Sequence, residues 1–518
     1  MGLFRKTIKL KHKYIAALSY LYFIIPIILF YWGWVRLYYS IPLSAFLLLG
    51  FSFLYRDQLK DNEDMINLPI LAFIIPIVII MIWALLSGQC GLFVQTYDWH
   101  GRNAVLRDLI NYSWPVYYPK TGNALNFYFV FWLVPALVGK VLGWKAAYLA
   151  LFIWVSLGVS LSFLLICFCI KAEKLRDTIL VIVIFIIWGG VNIFGMLLAY
   201  SANVVETLNV IGGDLWLRDQ WFGEPYRYNY EYSSNNTLLQ WVFHQSVTTW
   251  VATPLFLSNK SIRNYIFLGL CLFAFCPIPF IGLMLMMICS GFEQLIESIK
   301  NKNIAKIFKD VISKQNIMAL LAIVLPFFLF YSSNPAVSEK SIGGGIKFYY
   351  PIEAFTIKRI ILLLIFYLIS YGVYMLAIKK DHKKDKFFYV VGIILMIIPL
   401  LQVGKGRDFC MRGCIAPLFV VMIWVIQYII KRTREKKFDA SIVTLIILLS
   451  FSSFNFTATL FKWTRAYINN GGPIVCDDLE TYGNNNPEDE SDITDFINCL
   501  IKEPENTKFY KYIGKELK

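Results

Sequence analysis

Long apolar segments recur along the whole chain and are separated by short stretches that carry the charge. An α-helix needs about 20 apolar residues to cross the hydrocarbon core of a bilayer, and only 16% of these 518 residues are charged. The sequence therefore predicts an all-α polytopic integral membrane protein with about 12–14 transmembrane or re-entrant helices. It excludes a soluble enzyme, a disordered chain and a fibrous protein. The apolar segments are residues 15–35, 39–55, 66–88, 124–143, 146–170, 177–200, 237–257, 264–279, 280–297, 317–333, 355–378, 387–402, 413–430 and 439–453.

The basic residues form four short blocks, at the N-terminus and within residues 300–314, 379–386 and 431–437. In a soluble protein the net charge of +15 would indicate nucleic acid as a partner. Blocks between apolar segments instead follow the positive-inside pattern and face anionic lipid. We therefore expect no nucleic-acid partner and a cytoplasmic position for all four blocks. The first apolar segment has no small-residue cleavage site after it, so it is interpreted as a retained helix behind a cytoplasmic N-terminus.

Because each membrane crossing moves the chain to the other side, the cytoplasmic basic blocks predict that the polar segments lie on the outer face. The expected outer loops are residues 89–123, 201–236, 333–354 and 403–412, all within a polytopic membrane domain of residues 1–453. A small polar extracytoplasmic tail, residues 454–518, would follow. Its Cys476 and Cys499 are either a disulfide or two unpaired thiols.

The alternation fails between residues 124 and 200, where three apolar segments lie between two outer flanks. One solution breaks segment 177–200 at Gly189-Gly190, since glycine lets a membrane helix break where protein satisfies the backbone. In the other, segment 124–143 dips and returns, which keeps the basic residues 171–176 cytoplasmic. The sequence does not choose between them.

The first outer loop clusters Asp98, Trp99, His100 and Arg102 just beyond a membrane helix. Residues 103–110 follow with the pattern of a short amphipathic helix at the membrane interface. A carboxylate at this position suits a general base that activates a hydroxyl nucleophile. The alternative is a helix-capping aspartate beside an aromatic belt.

The second outer loop combines aromatic rings with carboxylates and amides, which is what a sugar-binding surface requires. Polar residues continue into the next apolar segment, where polarity is costly and indicates function. An interfacial aromatic girdle would explain the rings but not the amides. The candidates are Trp216, Trp221, Tyr232, Asn235, Asn236, Gln240, His244 and Gln245.

The third cluster surrounds Asp408 with Lys405, Arg407 and Arg412 where a helix starts from the outer face. Positive charge outside runs against the positive-inside bias. Arginines beside a helix N-terminus suit an anionic phosphate. The alternative is a surface ion pair between Asp408 and Arg412, which are four residues apart.

Several signatures of other enzyme classes are absent from the sequence, among them the P-loop, the GxSxG elbow, HExxH and the dinucleotide fingerprint. Only four histidines are present, so a histidine-rich metal site is excluded. No metal ligand and no cofactor are assigned. A carboxylate-bound divalent metal stays open.

The segment YDWHGRNAVLRDL, residues 97–109, resembles the GT-C superfamily of polytopic glycosyltransferases, in which an acid in the first large outer loop precedes an interfacial helix. Three further segments resemble a bacterial multi-pass subgroup: YSSNNTLLQWVFHQ, CPIPFIGL and RDFCMRGCIAPLF. The chain departs from the superfamily in two ways. Asp98 is followed by Trp99 and His100 instead of completing a DxD or ExD pair, and the 65 residues 454–518 stand in place of the superfamily's large soluble C-terminal domain.

The resemblance implies a hexosyl- or pentosyltransferase that moves a sugar, with inversion, from a polyprenyl-phosphate donor to a glycan or lipid-linked acceptor. It places the protein in a bacterial inner membrane, with the site extracytoplasmic and the bilayer as a partner. Asp98 would be the base. Donor phosphate would bind Arg102, Lys405, Arg407 and Arg412, and sugar or acceptor would bind His100, Asp408 and the candidates of the second loop. The alternatives are a polysaccharide polymerase or ligase, and a flippase or transporter of lipid-linked sugars.

Overall fold

The computed structural model describes residues 6–96, 98–191, 220–222, 229–334, 346–348, 357–403, 408–476 and 499–517. Within this part of the chain, eight helices are long and apolar enough to cross a membrane, and four shorter apolar helices accompany them. The protein is thus an all-α polytopic membrane protein, as the recurring apolar segments predict. Helices prevail because a chain in hydrocarbon must satisfy every backbone N–H and C=O internally.

The helices, in chain order, are α1 (His12–Trp34), α2 (Leu37–Leu54), α3 (Ile70–Leu86), α4 (Trp99–Asn111), α5 (Leu133–Leu142), α6 (Trp144–Ile170), α7 (Leu175–Ile187), α8 (Asn235–Trp241), α9 (Phe243–Ser258), α10 (Ile262–Phe273), α11 (Pro277–Lys300), α12 (Ile304–Val311), α13 (Lys314–Ala319), α14 (Leu325–Ser332), α15 (Ile357–Tyr367), α16 (Val373–Ile378), α17 (Lys386–Ile397), α18 (Asp408–Gly413), α19 (Ile415–Arg434), α20 (Ala440–Asn469) and α21 (Lys508–Tyr512). Turns of π-helix, residues Leu320–Val324 and Leu368–Gly372, join α13 to α14 and α15 to α16.

Short antiparallel strands tie the loops together. β1 (Thr7–Lys11) pairs with β2 (Met65–Pro69). The remaining strands are β3 (Tyr117–Tyr118), β4 (Asn123–Leu125), β5 (Gln220–Phe222), β6 (Asn229–Glu231), β7 (Ile346–Phe348), β8 (Leu401–Val403) and β9 (Leu500–Lys502). They form a three-stranded sheet β3-β4-β9 and the pairs β5-β6 and β7-β8.

The four basic blocks meet at one end of the helix bundle, which we call the basic end. Lys13 pairs with Glu63 at 2.6 Å, and Glu63 lies in the turn that leads to β2. The Asn67 N–H, in β2, donates to Glu173 at 3.3 Å. Block 431–437 pairs with two acids, Arg434 with Asp177 at 2.6 Å and Arg432 with Asp381 at 3.2 Å. Arg263 pairs with Asp57 at 2.7 Å and with Asp310, within block 300–314, at 2.5 Å. The expected clustering of these blocks on one side is therefore present.

Helix α5 begins and ends at the opposite end of the bundle, which we call the loop end. At its end, Lys140 donates to the carbonyls of Ile110 and Tyr112, both in the first loop. Before its start, the Asn126 side chain donates to the Phe330 carbonyl near the end of α14. Helix α6 then runs to the basic end, where the Lys171 carbonyl accepts a hydrogen bond from Arg434. Segment 124–143 therefore returns without crossing.

Helix α7 is also broken where the glycine pair predicts a break, because it ends at Ile187. Its last carbonyls are satisfied from other helices, as buried backbone requires. Ser452 donates to the carbonyls of Ile187 and Gly189 at 2.7 and 2.9 Å, and the Asn235 N–H donates to Trp188 at 2.9 Å. A Cβ at Gly189 would approach Ser234 Cβ to 2.7 Å. The structure thus adopts the solution in which segment 124–143 returns, and α7 in addition ends just before the glycine pair.

The described residues after α20 pack against the loop end of the bundle. The sequence predicts a small polar tail there and does not predict this packing. Helix α20 continues to Asn469, so its predicted end at 453 is too early. β9 then joins the sheet of the first outer loop, and Phe509 packs 5.1 Å from Phe330 between ring centroids. The Lys515 N–H also donates to the Trp34 carbonyl at the end of α1. Apolar residues in the predicted polar tail cause this docking.

A layer of aromatic rings fills the bundle between its two ends. Trp250 of α9 stacks on Trp83 of α3 and on Phe419 of α19, with ring centroids 5.9 and 6.1 Å apart. Phe185 of α7 completes the layer with edge contacts to all three rings. Trp250 and Phe185 have no exposed surface, so the middle of the bundle is closely packed.

Candidate functional site

Asp98 and Arg102 form an ion pair at the start of α4, on the loop end. Arg102 Nη2 lies 2.8 Å from Asp98 Oδ2, the spacing of residues one helical turn apart. The Asp98 carboxylate is 44% exposed, whereas Arg102 is only 8% exposed. Asp98 makes no side-chain capping bond to the helix. Asp98 thus occupies the N-cap position of α4 without a capping bond, and its carboxylate is held at the surface by a buried guanidinium.

Trp99 fixes α4 against the elbow between α8 and α9. Its Nε1–H donates to the Gln240 carbonyl at 3.1 Å, and its ring stacks on Phe243 with centroids 5.0 Å apart. Trp99 is fully buried, as are most residues of α4. The helix predicted at the interface thus lies in the first loop but is mostly covered by protein. This packing places Asp98 and Arg102 close to the polar residues at the start of α9.

His244 and Gln245 lie in the first turn of α9, each 1% exposed. The His244 ring packs 4.6 Å from the Trp132 centroid, and its Nε2 lies 3.1 Å from Gln245 Nε2. Within the described part of the chain, His244 Nδ1 and Gln245 Oε1 have no hydrogen-bond partner. Buried polar atoms are rarely left so, and such a pair indicates a place where a ligand or water binds.

Arg102 and Arg412 belong to different helices, and both lie near the imidazole of His244. Both guanidinium groups lie within electrostatic range of His244, although Arg102 belongs to α4 and Arg412 to α18. We call Asp98, Arg102, His244, Gln245 and Arg412 the outer polar cluster. The structure thus brings together two residues of the first sequence cluster, two from the end of the second and one of the third.

Two further polar residues, Gln95 and Asn103, attach the chain after α20 to this cluster. Gln95 Oε1 accepts hydrogen bonds from Asn103 Nδ2 and from the Cys476 N–H, both at 2.9 Å. Asn103 also donates to the Cys476 carbonyl. The sequence analysis did not identify this role. The available signal was the pair of amide side chains flanking Asp98, but their partner lies almost 400 residues away.

Several predicted sugar-binding residues serve the fold. The Asn235 side chain donates to the Phe185 carbonyl at 2.9 Å, and Asn236 Oδ1 accepts from Trp83 Nε1 at 3.1 Å. Tyr232 is buried, and its hydroxyl donates to the Leu395 carbonyl. Gln240 is also buried and contributes its carbonyl to Trp99. The polarity of Asn235 is explained by the break after α7, because its side chain and its N–H donate to carbonyls at the end of that helix. A role in binding sugar stays a prediction for all four residues.

The remaining candidates are placed only in part. His100 is half-buried in the first turn of α4, two residues from Arg102. Lys405, Arg407 and Trp216 lie outside the described residues, and so do the side chains of Trp221 and Asp408. The Asp408–Arg412 pair and the two remaining phosphate candidates are therefore untested. Cys476 and Cys499 are both buried at the loop end.

The outer polar cluster combines two kinds of chemistry. Two arginines beside a helix N-terminus suit an anion with several oxygens, such as a phosphate. The exposed carboxylate of Asp98 is placed to accept a proton from a hydroxyl. In the described residues, no group of three or more His, Cys, Asp or Glu side chains is arranged to hold a metal ion.

Comparisons with protein-family models, with curated proteins and with solved structures found no match in any of the three.

Proposed function

We propose that the chain is a GT-C-type glycosyltransferase that takes a sugar from a polyprenyl phosphate and passes it to a glycan or lipid-linked acceptor at the loop end. The observation that carries the proposal is the ion pair of Arg102 with the exposed carboxylate of Asp98, with the buried His244 and a second arginine, Arg412, within electrostatic range. A lipid-linked donor stays in the bilayer, and its phosphate lies near the membrane surface. We place the site on the extracytoplasmic side of a bacterial inner membrane, and the basic blocks support this orientation because they favour a cytoplasmic basic end.

In the proposed reaction an acceptor hydroxyl attacks the anomeric carbon of the donor. A new oxygen–carbon bond forms, the bond from that carbon to the phosphate oxygen breaks, and polyprenyl phosphate leaves with the electron pair. Asp98 takes the hydroxyl proton. Arg102 and Arg412 stabilise the charge that develops on the departing phosphate. Attack opposite to the leaving group inverts the configuration of the sugar.

The ion pair between Asp98 and Arg102 gives this site a way to couple binding to catalysis. Arg102 Nη2 lies 2.8 Å from the Asp98 carboxylate and occupies one of its oxygens. A donor phosphate that reaches Arg102 competes for the same N–H groups. Arg102 would then turn from Asp98 to the phosphate and free the carboxylate to accept the proton of the acceptor hydroxyl. The donor would activate the base that acts on the acceptor.

The aromatic layer argues against the transport alternative. A flippase or transporter needs a polar route between the two faces, and its polar residues usually lie near mid-membrane. Here Trp83, Phe185, Trp250 and Phe419 fill the space below the outer polar cluster. A polymerase or ligase would use the same end of the bundle and differs from our proposal in its acceptor, which a survey of acceptors distinguishes.

Donor binding tests the proposal through thermal stability, because a ligand that binds the folded state raises the apparent Tm. We expect one polyprenyl-phosphate sugar of a panel to raise the Tm of the purified wild type, and Arg412→Ala to abolish the rise. Arg465→Ala, an exposed arginine late in α20, is the matched control and should keep it. A rise that survives Arg412→Ala, or no rise with any donor, would contradict the proposed phosphate site.

A further inference from the structure

A groove with purely apolar walls opens on the outside of the bundle between α10, α11 and α12. Its volume is about 490 Å³, and its walls include Ile262, Gly269, Phe280, Ile288, Phe292 and Phe308. Ile288 and Phe292 are 44% and 58% exposed. In a bilayer these side chains face lipid, so a hydrocarbon chain of a lipid is the ligand that suits the groove.

Helix α12 closes the groove at the basic end and is strongly amphipathic. On one side Ile307 is buried, while Ile304 and Phe308 stand exposed beside it. On the other side Lys306 and Lys309 are exposed. A helix with an apolar face and a lysine face lies in the membrane interface, with its lysines at the level of the lipid head groups.

The position of α12 is fixed by contacts to α10. Arg263 pairs with Asp310 of α12 at 2.5 Å, and its carbonyl accepts a hydrogen bond from Ser313 Oγ at 2.6 Å. Asp310 is the one acidic residue in the sequence of α12, and its carboxylate is paired with Arg263. Lys306 and Lys309 are therefore held above the end of the groove without a carboxylate of their own helix to neutralise them.

We propose that the groove and α12 form a binding site for an anionic phospholipid of the leaflet next to the basic end. One acyl chain lies in the groove between α10 and α11, and the phosphate lies at Lys306 and Lys309. The apolar walls take the chain of any phospholipid. The two lysines add the preference for a negatively charged head group, because each basic residue near the surface strengthens binding to anionic lipid. This site is at the opposite end from the outer polar cluster and does not depend on the proposed reaction.

The test compares phosphatidylglycerol with phosphatidylcholine of the same acyl chains. The full-length protein in detergent is mixed with both lipids, and the lipid retained on the protein is counted by native mass spectrometry. We expect the wild type to retain phosphatidylglycerol over phosphatidylcholine by about tenfold. The double variant Lys306→Ala/Lys309→Ala should lower that ratio to near one, and Ile288→Trp, which fills the groove, should lower the retention of both lipids.

The matched control is Lys383→Ala/Lys384→Ala, which removes two exposed lysines from another block at the same end. It should keep the wild-type ratio. Equal retention of the two lipids by the wild type would overturn the proposal. An equal loss of preference in the control and in the Lys306→Ala/Lys309→Ala variant would also overturn it, because it would assign the effect to overall charge.

Discussion

The indole of Trp99 stacks on the ring of Phe243 with centroids 5.0 Å apart, and its Nε1–H donates to the carbonyl of Gln240. This contact joins the first outer loop to the elbow between α8 and α9. It sets the distance between Asp98, one residue before Trp99, and His244, one residue after Phe243. The geometry of the outer polar cluster therefore depends on a packing contact between Trp99 and Phe243, neither of which is assigned a role in binding or catalysis.

Replacing Trp99 should destabilise the loop end. Trp99→Ala removes a fully buried indole and should lower the free energy of unfolding by about 3–5 kcal/mol. Trp99→Phe keeps a ring for stacking and leaves only the Gln240 carbonyl unpaired, at a cost of about 1–3 kcal/mol. Trp32→Ala is the control, because Trp32 is 48% exposed on the bundle surface. Thermal unfolding in detergent gives the order, and equal Tm values for Trp99→Ala and Trp32→Ala would refute this account.

Gly282 should tolerate no side chain, because a Cβ there would overlap the carbonyl oxygen of Gly413. Gly413 follows Arg412, so Gly282→Ala should displace the arginine as well as lower stability. Gly392→Ala is the comparison, since its Cβ meets only the flexible end of Met375 at 3.3 Å. Both substitutions gain about 1 kcal/mol of helix propensity. We expect a lower Tm for Gly282→Ala and an unchanged or higher one for Gly392→Ala, and the same Tm change in both would contradict this packing.

The chain after α20 should loosen when Gln95 is replaced. Gln95→Ala removes the acceptor of two hydrogen bonds, from Asn103 and from the Cys476 N–H. At about 1 kcal/mol for each of the two bonds, local opening should become about 30-fold more frequent. Limited proteolysis should then cut near residue 476 faster than in the wild type. Asn470→Ala, which loses only an exposed bond within α20, should leave the cleavage rate unchanged. A wild-type rate in Gln95→Ala would show that this stretch is held by other contacts.

Asp385 should make stability depend on pH at the basic end. The hydrogen bond from His382 holds the pKa of Asp385 below its ordinary value, against the opposing effect of partial burial, and Lys260 lowers the pKa further. The ionised form is thus favoured by folding. Its contribution is complete above the unfolded pKa of about 3.9 and is lost as the pH falls through the lower folded value.

The matched variants separate this charge from the cap that Asp385 provides. Its carboxylate also accepts from the Phe387 N–H at 3.0 Å, at the start of α17. Asp385→Asn keeps a capping side chain, so its Tm should fall at pH 7 and approach that of the wild type as the pH falls below about 4. Asp385→Ala loses the cap as well, about 1 kcal/mol, at every pH. A Tm difference for Asp385→Asn that did not shrink in acid would contradict the shifted pKa.

Hydropathy predicts most of the bundle because each crossing must satisfy its own backbone. It could not choose the path through residues 124–200, since a returning segment and a crossing one are equally apolar. Hydropathy also predicts that the last crossing ends at residue 453, because polar residues such as Asn455 and Lys462 follow. In the structure these residues continue helix α20. The docking of Phe509 was missed for a related reason, as an apolar residue in a polar tail has no periodic partner in sequence.

The candidate site was predictable only where it is local. Asp98 and Arg102 are four residues apart, so a helix alone brings them together. The approach of Arg412 to His244 depends on the packing of α18 against α11 through Gly282 and Gly413, which no spacing in the sequence reveals. The polarity of Asn235 and Asn236 predicts a ligand, and in the structure their side chains bond to the Phe185 carbonyl and to Trp83 Nε1. A role for them in binding sugar stays a prediction.

Sugar transfer itself tests the central proposal most directly. Purified protein in nanodiscs is incubated with a panel of radiolabelled polyprenyl-phosphate sugars and envelope glycan acceptors, and label in the acceptor is counted. We expect transfer by the wild type, a loss of at least about 100-fold in Asp98→Asn through loss of the base, and wild-type rates in the control Asp61→Asn, an acid at the basic end. The Tm of Asp98→Asn verifies that it is folded. Transfer by folded Asp98→Asn at the wild-type rate, or no transfer by the wild type from any donor, would contradict the account.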